Sequence, residues 1–496
     1  MTSISEFAST AETMVSRIGS IGSSKVYLLD DHAKTLPLAQ AIATANISKG
    51  SDDAFTILNL DALYKRFKLW KRELPQIELF YAMKCNSDET IIRSLAALDV
   101  GFDCASKEEI DMVIRIGVSP DRIIYANPCK SSKFIEHADL KGVKTMTFDS
   151  VDELEKIAEH HKCPGLLLRF NVSDPTATHP PSGKYGADPE NTAPLLLQRA
   201  VELGINIGGV SFHVGSGCND PSVYRTAIQH SRNLVNIGRD LGHTMAIVDV
   251  GGGFPGAEQR MPHFEKIASV IRSSLDEFFP EKDVRLIAEP GRYFAAPLCT
   301  LVTNVIAVKT VLGANGSAGK IHYFINDGIY GSFNCRIFDH ARPVGRPLFD
   351  AGGEEYLSTF WGPTCDSDDR VEDNKMMRLL NAGNWVVYEE MGAYTSAASF
   401  TFNGFPRPTA IHLYCYHYET SVIPRTYSTN RAHNEECDQP MSLMEANFLK
   451  ETALSSAISA FFRPAHTRGN NSSNPYWNDR GVSDNNNNDK NTNKYT

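Results

Sequence analysis

Lys84 stands at the end of a short apolar run, Ile77-Glu78-Leu79-Phe80-Tyr81-Ala82-Met83. A lysine leaving the C-terminal end of a buried parallel strand sits where α/β barrels keep their reactive groups. Partial desolvation there lowers its pKa and frees the amine as a nucleophile. A solvated lysine opening a loop is the plain alternative. Three more segments end apolar runs in the same way. Gly251-Gly252-Gly253 follows Ile247-Val248-Asp249-Val250. Such glycines let backbone N–H groups approach a phosphate closely, although a tight turn is the commoner explanation. His213-Val214-Gly215-Ser216-Gly217 adds a second small-residue turn with a hydroxyl donor. Glu289-Pro290-Gly291-Arg292 brings together a carboxylate, a flexible joint at Gly291 and a guanidinium suited to a bidentate phosphate grip. Each piece alone has an ordinary loop explanation. Their shared position at strand ends, facing one mouth, sets them apart. A lysine, a carboxylate and a phosphate cradle are what pyridoxal phosphate requires: a Schiff-base amine, an acid beside the pyridine nitrogen and a phosphate clamp.

The elements that must position these residues follow from periodicity. Apolar runs at Ile77–Met83, Val100–Asp103, Ile123–Ala126, Thr145–Phe148, Gly165–Phe170, Gly208–Val214, Met245–Val250 and Val284–Glu289 alternate with amphipathic stretches such as Glu89–Leu98, Lys107–Ile116, Val151–His160, Ala193–Leu203, Tyr224–Leu241 and Phe264–Phe279. Eight strands with helical crossovers over roughly 210 residues predict an α/β fold with a (β/α)8 barrel, a doubly wound sheet being the alternative. After Pro290 the runs become β-branched and aromatic: Leu301–Leu312, Lys320–Ile325, Asn384–Tyr388. They predict an all-β domain. Residues 1–53 read as a polar lead-in with extended pieces. The strands expected before the barrel, Val26–Leu29 and Ala54–Leu58, join the β domain and make it discontinuous. The expected boundaries are 1–58 (N-terminal strands), 59–295 (barrel), 296–462 (β domain) and 463–496. The last stretch is rich in Asn, Ser, Asp and Lys and is expected to be disordered.

Composition excludes several classes. The chain has 496 residues, 42% of them hydrophobic, and a net charge of −10. No basic patch stands out, which argues against nucleic acid as a partner. No run approaches the ~20 apolar residues of a membrane span, and Met1 to Gly22 has no signal-peptide character. The ten cysteines form no CxxC pair, so neither a metal site nor a disulfide framework is expected. A reducing compartment, the cytoplasm, fits that usage and leaves Cys365 available for chemistry.

Phe80–Asn86 (FYAMKCN), GFDCAS, IIYANPCK, SFHVGSG, VDVGGGFPG, AEPGRYF, NDGIYGSFN, FDH, WGPTCDSDD and MGAYT occur here in one order. In these motifs the chain resembles the eukaryotic ornithine decarboxylases, which are alanine-racemase-like (fold-type III) pyridoxal enzymes, from about Tyr27 to Pro408. The resemblance implies the following roles. Lys84 carries pyridoxal 5′-phosphate, Glu289 pairs with its ring nitrogen and His213 stacks on its face. Ser216, Gly251, Gly252, Gly253, Gly291, Arg292 and Tyr394 hold the phosphate. Asp103 and Arg169 support the lysine and ring, a structural ion pair being the alternative for Asp103. Asp339 and Asp366 accept the distal amine of L-ornithine, and Phe402 walls the α-carboxylate. Cys365 returns a proton to the α-carbon as putrescine forms, although a lone cysteine is more often inert.

The resemblance also implies a two-fold homodimer with shared sites. Lys84 comes from one chain, and Cys365, Asp366 and Tyr394 from the other. Lys184 and Asp369 pair across the interface; alone, both read as surface charges. A regulator of antizyme type is implied as a further partner. Diaminopimelate, lysine and arginine decarboxylases, and a regulatory homologue without activity, are the rivals. Two departures stand out. Phe338 precedes Asp339 where tyrosine is frequent. Past Pro408 the pattern fades: Ile411–Tyr418 does not resemble the family's closing strand, and its His, Cys and Tyr make only a weak metal-site candidate. Leu443–Phe462 is an expected helix.

Overall fold

The computed structural model describes residues 15–29, 35–172, 174–178, 183–256, 262–312, 318–350 and 352–415. Eight parallel strands close a barrel in chain order: Ile77–Ala82, Gly101–Cys104, Ile123–Tyr125, Thr145–Phe148, Gly165–Arg169, Ile207–Ser211, Ile247–Asp249 and Arg285–Ala288. The last pairs back onto the first, Leu286 opposite Ile77 and Ala288 opposite Leu79. Alternation along these strands divides the core. Phe80, Ile124, Leu167 and Ile287 form a small cluster of their own. Leu79, Tyr81, Phe102 and Leu168 join the much larger cluster that includes the surrounding helices.

The crossover helices start where side chains cap them. Asp88 accepts from the N–H groups of Thr90 and Ile91 ahead of Glu89–Ala97. Ser106 accepts from Glu109 ahead of Lys107–Arg115, and Ser150 from Glu153 ahead of Val151–His160. Each cap satisfies backbone donors that a helix start leaves unpaired.

The second unit is a 10-stranded sheet that takes strands from both ends of the described chain. Ser24–Leu29 and Phe55–Asn59 flank Thr409–Cys415, and Phe55–Asn59 also pairs with Cys299–Leu312. The β domain is therefore discontinuous and mostly sheet, as expected. Part of the expected lead-in, Thr35–Lys49, instead folds as a helix. Its Leu38, Ala39, Ile42 and Ala43 pack on Phe55, Val302, Trp385 and Leu413. Pro37 is tolerated because it lies in the first turn. Alanines at 39, 41, 43 and 45 favour the helix but spread buried positions around it. No apolar stripe marks it in the sequence.

A second correction concerns residues 409–415. Despite its unfamiliar sequence, Thr409–Cys415 is the strand that joins the N-terminal strands to one another. Its His412 faces Asp88, Nε2 to Oδ2 at 3.1 Å, and no group of metal-binding side chains occurs among the described residues. Leu443–Phe462 and the Asn-rich tail lie outside the described residues. No helix among the described residues is long and apolar enough to cross a membrane.

Candidate active site

The residues singled out at strand ends converge on one cavity. Lys84 lies in a single turn, Met83–Cys85, directly after the first barrel strand. Asp103 is in the second strand, His213 and Ser216 follow the sixth, Gly252 and Gly253 the seventh, and Glu289, Gly291 and Arg292 the eighth. All of these line the cavity, as does Tyr394. Lys84 donates from Nζ to Asp103 Oδ2, and 44% of its side-chain surface is still open for a ligand to reach. Asp103 itself is buried, and its Oδ1 accepts no hydrogen bond from the described residues.

The expected depression of the Lys84 pKa is reversed. Burial alone pushes the ammonium down, but the charges of Asp103 and Glu289 outweigh it and the net shift is upward. Glu289 is pushed far above the usual carboxylate range by burial and by the neighbouring acids Asp249 and Asp103. One of its oxygens, Oε1, is buried without a hydrogen-bond partner among the described residues. His213 is the converse case. Burial, with Arg169 and Lys84 nearby, pushes its ring down to about 3, so it is neutral. Its Nδ1 accepts from the Gly215 N–H at 2.9 Å, which leaves the proton on Nε2.

The glycine turn is sterically enforced. Gly251 has φ +62°, and a Cβ there would stand 1.9 Å from the Phe212 carbonyl oxygen. At Gly252 a Cβ would come within 3.1 Å of His213 Nε2, so glycine keeps the space beside that ring open. Opposite, Arg292 donates through Nε and Nη2 to Ser216 Oγ at 3.2 and 3.1 Å. Its guanidinium lies over the Tyr394 ring, 5.1 Å from the centroid, and grips Asp339 through both carboxylate oxygens at 2.8 and 2.5 Å. Asp339 thus sits behind the anion-binding end, already paired. Arg169 ends the fifth strand with its guanidinium over Tyr185, and it does not line the cavity.

Tyr394 is a correction. Expected from the partner chain, it lines the cavity of its own chain, and its N–H donates to the Cys85 carbonyl at 2.9 Å. It holds this place with φ +53°, unusual for a tyrosine.

Cys365, Asp366 and Phe402 do not line that cavity. They assemble elsewhere. Cys365 is exposed, and its N–H donates to Asn403 Oδ1 at 3.3 Å. The Tyr330 hydroxyl donates to Asp366, and the Phe402 ring lies 4.4 Å from that of Tyr330. Tyr330 was missed as a site residue although it stands within NDGIYGSFN; a tyrosine's hydroxyl gains significance only once its acceptor is known. Asp369 is not a surface charge. It is 1% exposed and accepts from Ile329 N–H, Thr364 N–H and Thr364 Oγ1. Glycine at 328 and 362 makes room for it, since a Cβ at either would lie 2.2 Å from its Oδ1. Lys184 is exposed, with its ammonium 4.8 Å from the Tyr185 ring centroid.

Residues 60–296 match a family model described as the pyridoxal-binding domain of pyridoxal-dependent decarboxylases. An ornithine decarboxylase of Caenorhabditis elegans is 54% identical over 408 residues, 81% of this chain and 96% of that protein. The chain belongs to the ornithine decarboxylase family. Antizyme inhibitor 2 of Xenopus laevis is another relative, 44% identical over 364 residues, 71% of this chain and 79% of that protein. Among solved structures, the arginine decarboxylase of Paramecium bursaria Chlorella virus bound to agmatine superposes with a TM-score of 0.71 at 34% identity, covering 76% of this chain and all of that one.

Membership makes this chain a decarboxylase that depends on pyridoxal phosphate. Its residues fit that cofactor on three counts. A buried Glu289 oxygen lacks a donor, a glycine turn leaves no room for side chains, and Arg292 with Ser216 offers donors to an anion.

Proposed function

We propose that this enzyme converts L-ornithine to putrescine and carbon dioxide, as a cytoplasmic homodimer whose sites are shared between chains. The orphaned Glu289 oxygen, buried across the cavity from the exposed face of Lys84, is the observation that carries the cofactor assignment. Ornithine as substrate rests on kinship and on Asp366. Among the described residues that carboxylate has the Tyr330 hydroxyl and the Asp368 N–H as partners and no cation, which suits a distal ammonium.

The roles of the chain's own groups follow. Lys84 holds the cofactor covalently, with Asp103 orienting its amine. Glu289 holds the proton at the ring nitrogen. Neutral His213 offers a flat, uncharged face that does not compete with that proton. Arg292, Ser216, Tyr394 and the N–H groups of Gly251–Gly253 bind the phosphate. Bound pyridoxal phosphate supplies the sink for the electron pair left when carbon dioxide departs. Phe402 keeps water from the substrate carboxylate, and loss of that charge is favoured where solvation is poor. Cys365 Sγ returns a proton to the α-carbon. Lys184, exposed beside Tyr185, is open to the partner chain, whereas Asp369 acts from inside its own chain by holding Thr364 next to Cys365 and Asp366. Kinship with antizyme inhibitor 2 supports a protein partner of antizyme type.

Arginine is the second reading, favoured by the likeness to the viral arginine decarboxylase; lysine differs from ornithine by one methylene, which discriminates by only about 1–3 kcal/mol. Carbon dioxide release from ornithine, lysine, arginine and diaminopimelate, with and without added cofactor, decides among them. Ornithine should give the highest kcat/KM, and Lys84→Ala should lose both turnover and the visible absorbance of bound cofactor. A wild-type protein without that absorbance is not this enzyme.

A further inference from the structure

Asp249 ends the seventh barrel strand, and nothing in its motif distinguishes it from an ordinary strand-end acid. It is wholly buried, yet both its oxygens are satisfied: Oδ2 accepts from Ser211 Oγ and Oδ1 from the Gly251 N–H, each at 2.8 Å. The Gly251 carbonyl in turn accepts from the Glu289 N–H at 2.7 Å. Asp249 thus anchors the first glycine of the turn and, through it, the backbone of Glu289. It is also the charge that acts most strongly on the Glu289 carboxyl.

We propose that Asp249 is a positioning residue that supplies a second negative charge behind Glu289, so that the proton on the cofactor's ring nitrogen is held by two carboxylates rather than one. This rests on the pyridoxal phosphate reading of the cavity. The two acids divide their tasks by their hydrogen bonds. Asp249 has a donor on each oxygen and is the better-stabilised anion. Glu289 has an oxygen with none and is left to meet the ligand. Burial pushes the Asp249 carboxyl above the usual carboxylate range, and the Gly251 N–H and Ser211 hydroxyl pull it back toward the ionised form. The other charged groups around the pair are Asp103, Arg169 and Lys84, from the second and fifth strands and the turn after the first. A cation placed at Glu289 favours the ionised form of both acids.

Asp249→Asn separates charge from shape, because asparagine Oδ1 still accepts from Gly251. The ring nitrogen is followed by 15N NMR with pyridoxal phosphate labelled at that atom, on enzyme whose visible absorbance shows the cofactor bound. Removing a negative charge should lower the midpoint of ring-nitrogen titration by about one pH unit, a tenfold weaker hold on the proton. Turnover should fall with little change in KM for ornithine. An unchanged midpoint in cofactor-bearing Asp249→Asn overturns the proposal. If that variant does not fold, Ser211→Ala decides: the lost donor favours protonated Asp249, so the midpoint must move the same way by a smaller amount, and a static midpoint overturns the proposal. Failure of the wild type to carry the cofactor on Lys84 would instead undo the underlying function, which keeps the two failures apart.

Discussion

His213 is an imidazole among cations, and its neutrality has a cost in acid. Its folded pKa, about 3, lies below the ordinary value near 6.5. Between those values the unfolded chain binds a proton that the folded ring refuses. Stability is therefore full above about pH 6.5 and is lost as pH falls toward 3. His213→Phe keeps a flat ring and removes the titration. Thermal melts at pH 7.5 and 5 should show the wild type losing about 1–2 kcal/mol more than the variant on acidification. Equal losses would mean that His213 is protonated in the folded state. Residue identity was legible at this scale where a motif named it: Lys84, Asp103, His213, Ser216, Glu289 and Arg292 all meet in one cavity. Electrostatic state was not. The Lys84 shift depends on which acids face it, and sequence order does not reveal that Asp103 and Glu289 crowd one amine while Asp249 acts on Glu289. Asp249 and Tyr330 went unremarked for the same reason, since their meaning lies in what they bond to.

Strand Thr409–Cys415 shows how an element can be hidden by its own sequence. Its side chains departed from the family pattern, and the reading failed there. The strand nevertheless keeps apolar residues at alternate positions, Ile411 and Leu413, which are buried against Phe55, Ile57 and Trp385. Strand pairing needs that alternation and not particular residues. The barrel strands were legible because each is a dense apolar run punctuated by turn residues. The helix Thr35–Lys49 was not, for want of a stripe. Leu413 is 1% exposed, between two strands from the other end of the chain. Leu413→Ala should cost about 2–4 kcal/mol in urea unfolding, with cofactor-site residues untouched. Thr409→Ala, exposed on the same strand, should cost about 0.5 kcal/mol or less. Similar effects from both would mean that the strand does not hold the N-terminal strands in the sheet.

In the whole molecule, the residues assigned to one reaction fall in two places. One surface holds the Lys84 cavity with Glu289, Arg292 and Tyr394. Another displays Cys365, Asp366 and the stacked Tyr330 and Phe402, with Phe402 41% exposed and Phe400 beside it 47% exposed. Exposed aromatics around an exposed thiol are poorly suited to water and well suited to burial against a partner. The acid that should receive the substrate's distal amine and the amine that should carry the cofactor belong to different surfaces of one chain, so neither surface can complete the reaction alone. The proposed two-fold dimer would bring each cavity against the other chain's thiol surface. Complementation tests this directly. Lys84→Ala and Cys365→Ala should each be nearly inactive in putrescine formation, the second while still absorbing at the cofactor's visible band. Mixed, dissociated and allowed to re-pair at random, half the dimers contain one chain of each kind. Such a dimer has one site with both defects and one with neither, so activity should return to about a quarter of the wild-type level. If the mixture stays as inactive as its parts while mixed dimers are demonstrably present, lysine and cysteine act within a single chain, and the two surfaces must meet by a rearrangement of that chain instead.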